Sequence, residues 1–238
     1  MTETNDSSGI AAATALDPHP DLVKVTKDRI LDSAESLFIA NGFQATSLRR
    51  ITAMAQVNLA AVNYHFQSKE QLIMAVMMRK LEPINRQRLE MLDRIEAEAP
   101  PTGPLSLEKV LVAFLQPVVD AQAAGVDLGS FPVLMGRLYT EPGGLFQKLF
   151  AVAFPVIARR FKDAMARALP SAAPVDVIWG MHLTVGAMAH YLARPPVLAL
   201  LAGRDAAPAV NPAESLDRLV TYMAGGFRAL VSRKEVRP

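Results

Sequence analysis

The stretch Thr46 to Lys69 reads TSLRRITAMAQVNLAAVNYHFQSK, and it gathers side chains with recognisable chemistry. The Asn63 amide can pair with both hydrogen-bonding groups on the major-groove edge of an adenine. Ala60 and Ala61 are small enough to let a helix approach base edges, and an alanine packs well on a thymine methyl. Thr46, Ser47, Tyr64, His65 and Lys69 supply donors where phosphate contacts would fix the register of such a helix. Taken singly, each has a plainer reading: His65 as an ordinary half-buried imidazole, Tyr64 as a core aromatic.

Charge points the same way. The 238 residues carry 25 Lys+Arg and 23 Asp+Glu, a net +2 that hides an uneven distribution. Residues 1–23 hold Glu3, Asp6, Asp17 and Asp21 with no Lys or Arg, so this segment is −4. Residues 24–90 hold ten Lys/Arg against six Asp/Glu, so +4. No acidic residue occurs from Ser36 through Lys69, a surface suited to a polyanion. Cysteine is absent, which excludes disulfides, thiolate catalysis and Cys-ligated zinc, and fits a reducing compartment.

Helices must position these groups. Thr26 can cap a first helix whose apolar stripe is Ile30, Ala34, Leu37 and Phe38, stopped by Asn41-Gly42. Thr46 or Ser47 caps a short second helix, with Leu48 and Ile51 inward. Asn58 caps a third, and Ser68-Lys69-Glu70-Gln71 has the form of a capping box opening a long fourth. Pro83 should bend or interrupt that helix. Two short helices joined by a tight turn make a helix-turn-helix. The proline cluster at residues 99–104 is the clearest loop. Beyond it, Ser106 opens a helix, residues 125–143 read as short pieces, and residues 145–169 form an amphipathic helix kinked at Pro155. Residues 175–193 are apolar nearly all round, and Asn211-Pro212-Ala213-Glu214 caps a last helix. No strand alternation is evident, so the fold is expected to be all-α.

The segmentation is an acidic tail lacking structure signals over 1–23, a helix-turn-helix domain over 24–80, and a helical domain over 81–238. Acidic Glu3 and Asp6 precede the only short apolar run near the start, which argues against an export signal. Residues 177–193 are too short and carry too many polar groups for a membrane span. A cytoplasmic protein without membrane association is expected.

Residues 26–80 resemble the DNA-binding domain of the TetR/AcrR family of transcriptional regulators. The likeness rests on Ile30-Leu31-Asp32-Ser33-Ala34, Asn41-Gly42-Phe43, Thr46-Ser47-Leu48-Arg49-Arg50-Ile51, Tyr64-His65-Phe66 and Ser68-Lys69-Glu70. It implies that Leu59, Ala60, Ala61 and Asn63 face the bases, that Arg49 also reaches a base, and that Tyr64, His65 and Lys69 hold phosphates. Gln56 and Gln67 stand where the family commonly has Gly, so strain is expected at both turns.

The same resemblance implies a C-terminal region that dimerises and encloses a small-molecule pocket. An interface is expected at Gly180, Gly186, Leu216, Leu219, Met223, Gly226, Phe227 and Leu230; glycines inside two apolar helices suit close packing, or else complete a monomer core. A pocket is expected among Phe114, Val118, Phe131, Met135, Phe146, Phe150, Phe154, Met181 and His182, which otherwise read as plain core. Arg137 is the polar exception, either an anchor for a carboxylate or a surface ion-pair partner. The string Val57 to Phe66 is also similar to the PsrA-like subgroup, whose fatty-acid-responsive member implies an acyl or other apolar effector.

The partners so implied are double-stranded DNA with a near-palindromic site, a second copy of the chain, and a small apolar effector. No cofactor or metal is expected. An enzyme is disfavoured: there is no G-x-S-x-G, Walker A, G-x-G-x-x-G or H-E-x-x-H, and the four histidines are dispersed. A scaffold without DNA binding, or an activator or dual regulator on the same fold, stays open at this point.

Overall fold

The computed structural model describes residues 20–125, 130–140, 144–193 and 211–232. Among the described residues every regular element is a helix. The first four are α1 (Pro20–Asn41), α2 (Leu48–Ala55), α3 (Leu59–Phe66) and α4 (Lys69–Glu98). Then follow α5 (Leu107–Ala123), α6 (Ser130–Thr140), α7 (Leu145–Ala153), α8 (Pro155–Ala168), α9 (Pro174–Ala193) and α10 (Pro212–Ser232).

α1 starts at Pro20, six residues before the expected cap at Thr26, because a proline suits the first helical turn and nothing between them breaks the helix. The rest of the expected acidic tail, residues 1–19, lies outside the described residues. Its apolar stripe buries Ile30, Ala34 and Phe38 against Ile51, Val62, Phe66, Leu72 and Val76 from α2, α3 and α4. Ion pairs stitch the outer side of the α1–α4 contact: Arg79 to Asp32 at 2.7 Å and to Glu35 at 2.9 Å, and Lys80 to Glu35 at 2.8 Å.

The two long prolines-in-helix expectations resolve differently. α4 runs through Pro83 without a break, carried past the missing donor by buried Leu81 and Ile84 on either side. The helix expected over 145–169 is instead two helices meeting at Phe154. The Phe154 N–H donates to the Phe150 carbonyl at 3.2 Å, ending α7. Its own carbonyl accepts from the Ala158 N–H at 2.8 Å, starting α8, and Pro155 occupies the first position, where no donor is needed.

One hydrophobic cluster spans α1–α4 and continues into Leu134 and Leu138 of α6 and Leu145 and Leu149 of α7. The second joins the distal half of α4 to α5, α8, α9 and α10 around Leu92, Leu111, Phe161 and Phe227. A third, small cluster of Ile84, Val118 and Leu192 lies between them, and the first takes in residues on both sides of residue 80.

α9 and α10 cross closely at Gly180. A Cβ there would sit 2.1 Å from the Phe227 ring, so only glycine admits the ring. This corrects part of the expected interface. Gly180, Met223 and Phe227 face the interior of their own chain, where the apolar α5 completes their burial. Leu216 and Leu219 are half-buried against the same core, and Leu230 is half-buried. Gly186 and Gly226 have open space beside them.

Candidate nucleic-acid interface and effector cavity

The α2–turn–α3 unit is fixed largely by side chains bonded to backbone. Ser47 Oγ accepts from the Arg50 N–H at 3.3 Å, and Asn58 Oδ1 accepts from the Ala61 N–H at 2.8 Å. Ser68 Oγ accepts from the Gln71 N–H at 3.1 Å and opens α4. Each satisfies a helix-start donor that would otherwise need water. The turn residue Gln56 has φ 52° and ψ 48°, and Gln67, ending α3, has φ 58° and ψ −39°. Both have a positive φ that L-residues resist, at about 1–3 kcal/mol each, and only Gln56 lies in the left-handed helical region. Arg29 of α1 holds the first in place: its guanidinium donates to the Ala55 carbonyl at 2.5 Å and the Gln56 carbonyl at 3.2 Å.

This frame leaves one face bare. Leu59, Ala60 and Asn63 are exposed along α3, and Arg49 is exposed on α2. Ala61 is half-buried, leaning toward the core. Tyr64 is 72% exposed, with its ring edge-on to His65 at 5.1 Å. Lys69 Nζ donates to the Gln44 carbonyl at 3.4 Å, pinning the loop before α2 while staying part-exposed. Burial, and then the nearby charge of Lys27, lowers the His65 pKa, so this imidazole is neutral near pH 7.

Thr46 is not on this face. It is 0% exposed, and its hydroxyl lies 2.7 Å from the Gly42 carbonyl and 3.2 Å from the Leu37 carbonyl. It ties off the end of α1 and cannot meet a phosphate; Ser47 beside it is exposed. Sequence reasoning missed Lys27 and Arg29, because their relation to α3 and to the turn arises only when α1 packs across them.

The second site is a cavity of about 460 Å³ between α4, α5, α6, α7, α8 and α9. Phe114, Val118, Phe131, Met135, Phe146, Phe150, Phe154, Met181 and His182 all line it. Stacked rings of Phe146, Phe150 and Phe154 form one wall, with centroids 6.2 and 5.3 Å apart. Size and lining are those of a small-molecule site. Arg137 is absent from the lining. Its Nη1 donates to the Phe38 carbonyl at 3.2 Å and lies against Gly42, so it joins α6 to the end of α1 instead of anchoring a ligand. Three cations that sequence reasoning did not place there border the cavity: Lys80, Arg88 and Lys162. Their position on helix faces gives no sign of it, since a long basic side chain reads as surface.

A further apolar surface lies on α9 and α10. Trp179 is 57% exposed and Tyr222 75% exposed, with Val175 and Leu183 also uncovered. Gly186, Gly225 and Gly226 on these helices meet nothing within 4 Å. No helix among the described residues is long and apolar enough to cross a membrane.

Comparisons with known proteins agree with this geometry. A model of the bacterial regulatory proteins of the tetR family matches residues 30–76, and a tetracyclin repressor-like C-terminal domain matches residues 112–226. QacR, an HTH-type transcriptional regulator of Staphylococcus aureus, is 37% identical over 51 residues, which are 21% of this chain and 27% of QacR. YttP of Bacillus subtilis, assigned as an HTH-type transcriptional regulator, is 48% identical over 44 residues, 18% of this chain and 21% of YttP. The matched segment thus spans about a quarter or less of each of these relatives. In fold, the chain is similar to NalD, the secondary repressor of the MexAB-OprM multidrug efflux pump in Pseudomonas aeruginosa. That match has TM-score 0.62 and 21% identity, covering 86% of this chain and 97% of NalD. The fatty acid degradation regulator FadR of Bacillus halodurans matches with TM-score 0.59 and 13% identity, covering 84% of this chain and 98% of FadR.

Proposed function

The chain belongs to the TetR family of bacterial regulatory proteins, and from that premise we propose that it is a dimeric, ligand-responsive transcriptional repressor. It is not an enzyme but a binding protein whose two sites are linked. In this reading a small apolar effector fills the cavity and releases the protein from a near-palindromic operator in the cytoplasm. The observation that carries it is the bare α3 face, with Leu59, Ala60 and Asn63 exposed above helix ends tied by Ser47, Asn58 and Ser68. A rigid helix with small and amide side chains outward is what base reading in a major groove needs.

The dimer is supported by the uncovered apolar surface on α9 and α10. Trp179, Leu183 and Tyr222 on it replace the inward-facing Gly180, Met223 and Phe227 as interface candidates. Dimerisation would place two α3 helices on successive major grooves about one turn apart. Two elements join the cavity to α3. α4 begins at the Ser68 cap beside α3 and lines the cavity with Leu81, Ile84 and Arg88. α6 lines it with Phe131 and Met135 and touches α1 through Arg137. An effector that fits one spacing of these helices better than another shifts the population toward it. The phenylalanine wall suits an acyl-type or other apolar effector, as the PsrA-like likeness implies.

Selection of bound fragments from genomic DNA by the purified protein tests the reading; a recovered palindrome is expected, and no enrichment sinks it. On that operator, Tyr64→Ala and Lys69→Ala are each expected to weaken binding across all sequences, and Lys69→Ala, which removes a charge, also to lower the slope of log affinity against log salt by roughly one. Unchanged affinity in Tyr64→Ala, or unchanged steep salt dependence in Lys69→Ala, would remove that residue from the phosphate contacts.

A further inference from the structure

Arg88 is 2% exposed, yet it borders the cavity. Its donors are held by neutral groups alone. Nε donates to the Phe114 carbonyl at 2.8 Å and Nη1 to Asn85 Oδ1 at 3.1 Å, while Nη2 lies 3.2 Å from Met188 Sδ. The guanidinium also stands over the Phe114 ring, 4.2 Å from its centroid. Burial lowers its pKa to about 10, which still leaves it cationic at neutral pH. Among the described residues no carboxylate pairs with it. This is unusual, because a buried charge is costly unless an opposite charge compensates it.

The remaining lining sharpens the point. The cavity's ionisable lining groups are Lys80, Arg88, Lys162 and His182, with no Asp or Glu among them. Lys80 is compensated by Glu35 at 2.8 Å, and Lys162 by Asp163 at 3.6 Å on an exposed surface. Arg88 is the cation left without its counter-charge. A guanidinium has five N–H donors in a fixed plane, and the three contacts above use one on each nitrogen. Two N–H groups are left, in a site already oriented by its neighbours, and such a fork matches a carboxylate.

We propose that the cavity binds an anionic amphiphile, a carboxylate on an apolar body, with the carboxylate on Arg88 and the body along the phenylalanine wall. The proposal rests on the reading of the cavity as the effector site and names the class of effector. An anion here would complete a charge balance that the chain leaves open, so the head group carries selectivity and the wall carries affinity.

The test is binding to the full chain by calorimetry, using matched probes that differ only in the head. One set is dodecanoate, dodecanol and dodecylammonium; the other is naphthylacetate, naphthylethanol and naphthylethylamine. Within at least one set the carboxylate is expected to bind about ten- to a hundred-fold tighter than the alcohol, the range of a hydrogen-bonded charge. The ammonium is expected to bind weakest. Arg88→Met, similar in length and apolar, is expected to erase the carboxylate's advantage while alcohol affinity stays within a few-fold. Arg88→Lys keeps the charge without the fork and is expected to retain part of it. If Arg88 were only a structural brace, Arg88→Met would weaken carboxylate and alcohol alike. That result, equal affinity of acid and alcohol for the wild-type chain, or no binding by either carboxylate overturns the proposal. Should Arg88→Met not fold, the wild-type head-group comparison still decides. No DNA is used, so failure here leaves the operator experiment intact, and failure there leaves this one intact.

Discussion

The helix-turn-helix end and the C-terminal bundle both rest on apolar cores, but their functional parts are fixed by different means. In the first, polar side chains tie backbone to backbone: Ser47, Asn58 and Ser68 at helix starts, Thr46 and Arg29 at helix ends. Their directional bonds allow little slack, and they free the outer face of α3 from any packing duty. In the second, apolar volume does the positioning: the Phe227 ring sits against Gly180, and phenylalanines are stacked round a cavity. Packing of that kind tolerates a few alternative arrangements, each close in energy. The contrast suits the division of labour proposed here, a fixed reader joined to an adjustable sensor.

The largest effect should come from spoiling the packed end at its tightest point. Gly180→Val places branched carbon where the Phe227 ring already lies. Overpacking of this kind costs about 1–3 kcal/mol or more. The variant is expected to lower the Tm by several degrees and to separate α10 from α9 first, seen as faster amide exchange in those two helices. If the bundle instead unfolds together with α1–α3 and at the same temperature as the wild type, the two regions are not built on separate principles.

What was legible in the sequence follows the same division. Caps and turns are local, so Ser47, Asn58, Ser68, Ser106 and Asn211 announce helix starts that the structure contains. The strain at Gln56 and Gln67 was also local, because each stands in a turn that calls for a positive φ. Aromatic spacing brought the cavity's phenylalanines into view without showing that they enclose space. Tertiary relations stayed hidden. Gly180 signalled a close approach but not to which partner, and its own chain supplies the ring. Thr46 lies one residue from a surface cap yet turns inward. Arg88 looked like one more basic residue on α4; only the meeting of α4, α5 and α9 buries it.

An intermediate effect is expected where the two regions join. Arg137 leaves the cavity-lining helix α6 and donates to the Phe38 carbonyl, which also accepts from the Gly42 N–H at 2.9 Å. Arg137→Met keeps the length and removes the bond. Operator binding to the wild-type chain is expected to slow amide exchange in α6, and in Arg137→Met that slowing should shrink about threefold to tenfold, within the usual size of coupling between sites. Operator affinity itself should change little. Undiminished slowing would mean that α4 alone carries the connection, and the reader and the sensor would then share one strut instead of two.

The smallest effect should appear in the pH dependence of the reader, and its sign is fixed by the geometry. His65 is depressed below its ordinary value by burial and then by Lys27. In the folded chain it therefore stays neutral where an unfolded histidine would begin to charge. Its contribution to stability is present above about pH 6.5, the ordinary value of an unfolded histidine, and is lost as the pH falls below that through the lowered value of the folded chain. A phosphate oxygen placed on the ring opposes both causes, favouring the proton that burial and Lys27 disfavour. Bound DNA should thus raise the His65 pKa, and operator affinity should rise about twofold to threefold between pH 7.5 and 6, since a partly exposed pair is well screened. His65→Gln keeps a neutral donor and should flatten this rise without changing the affinity at pH 7.5. A rise that persists in His65→Gln assigns the proton to another group. A fall in affinity as the pH drops would place His65 away from the phosphates, and the rigid reader would then hold its register through Tyr64 and Lys69 without it.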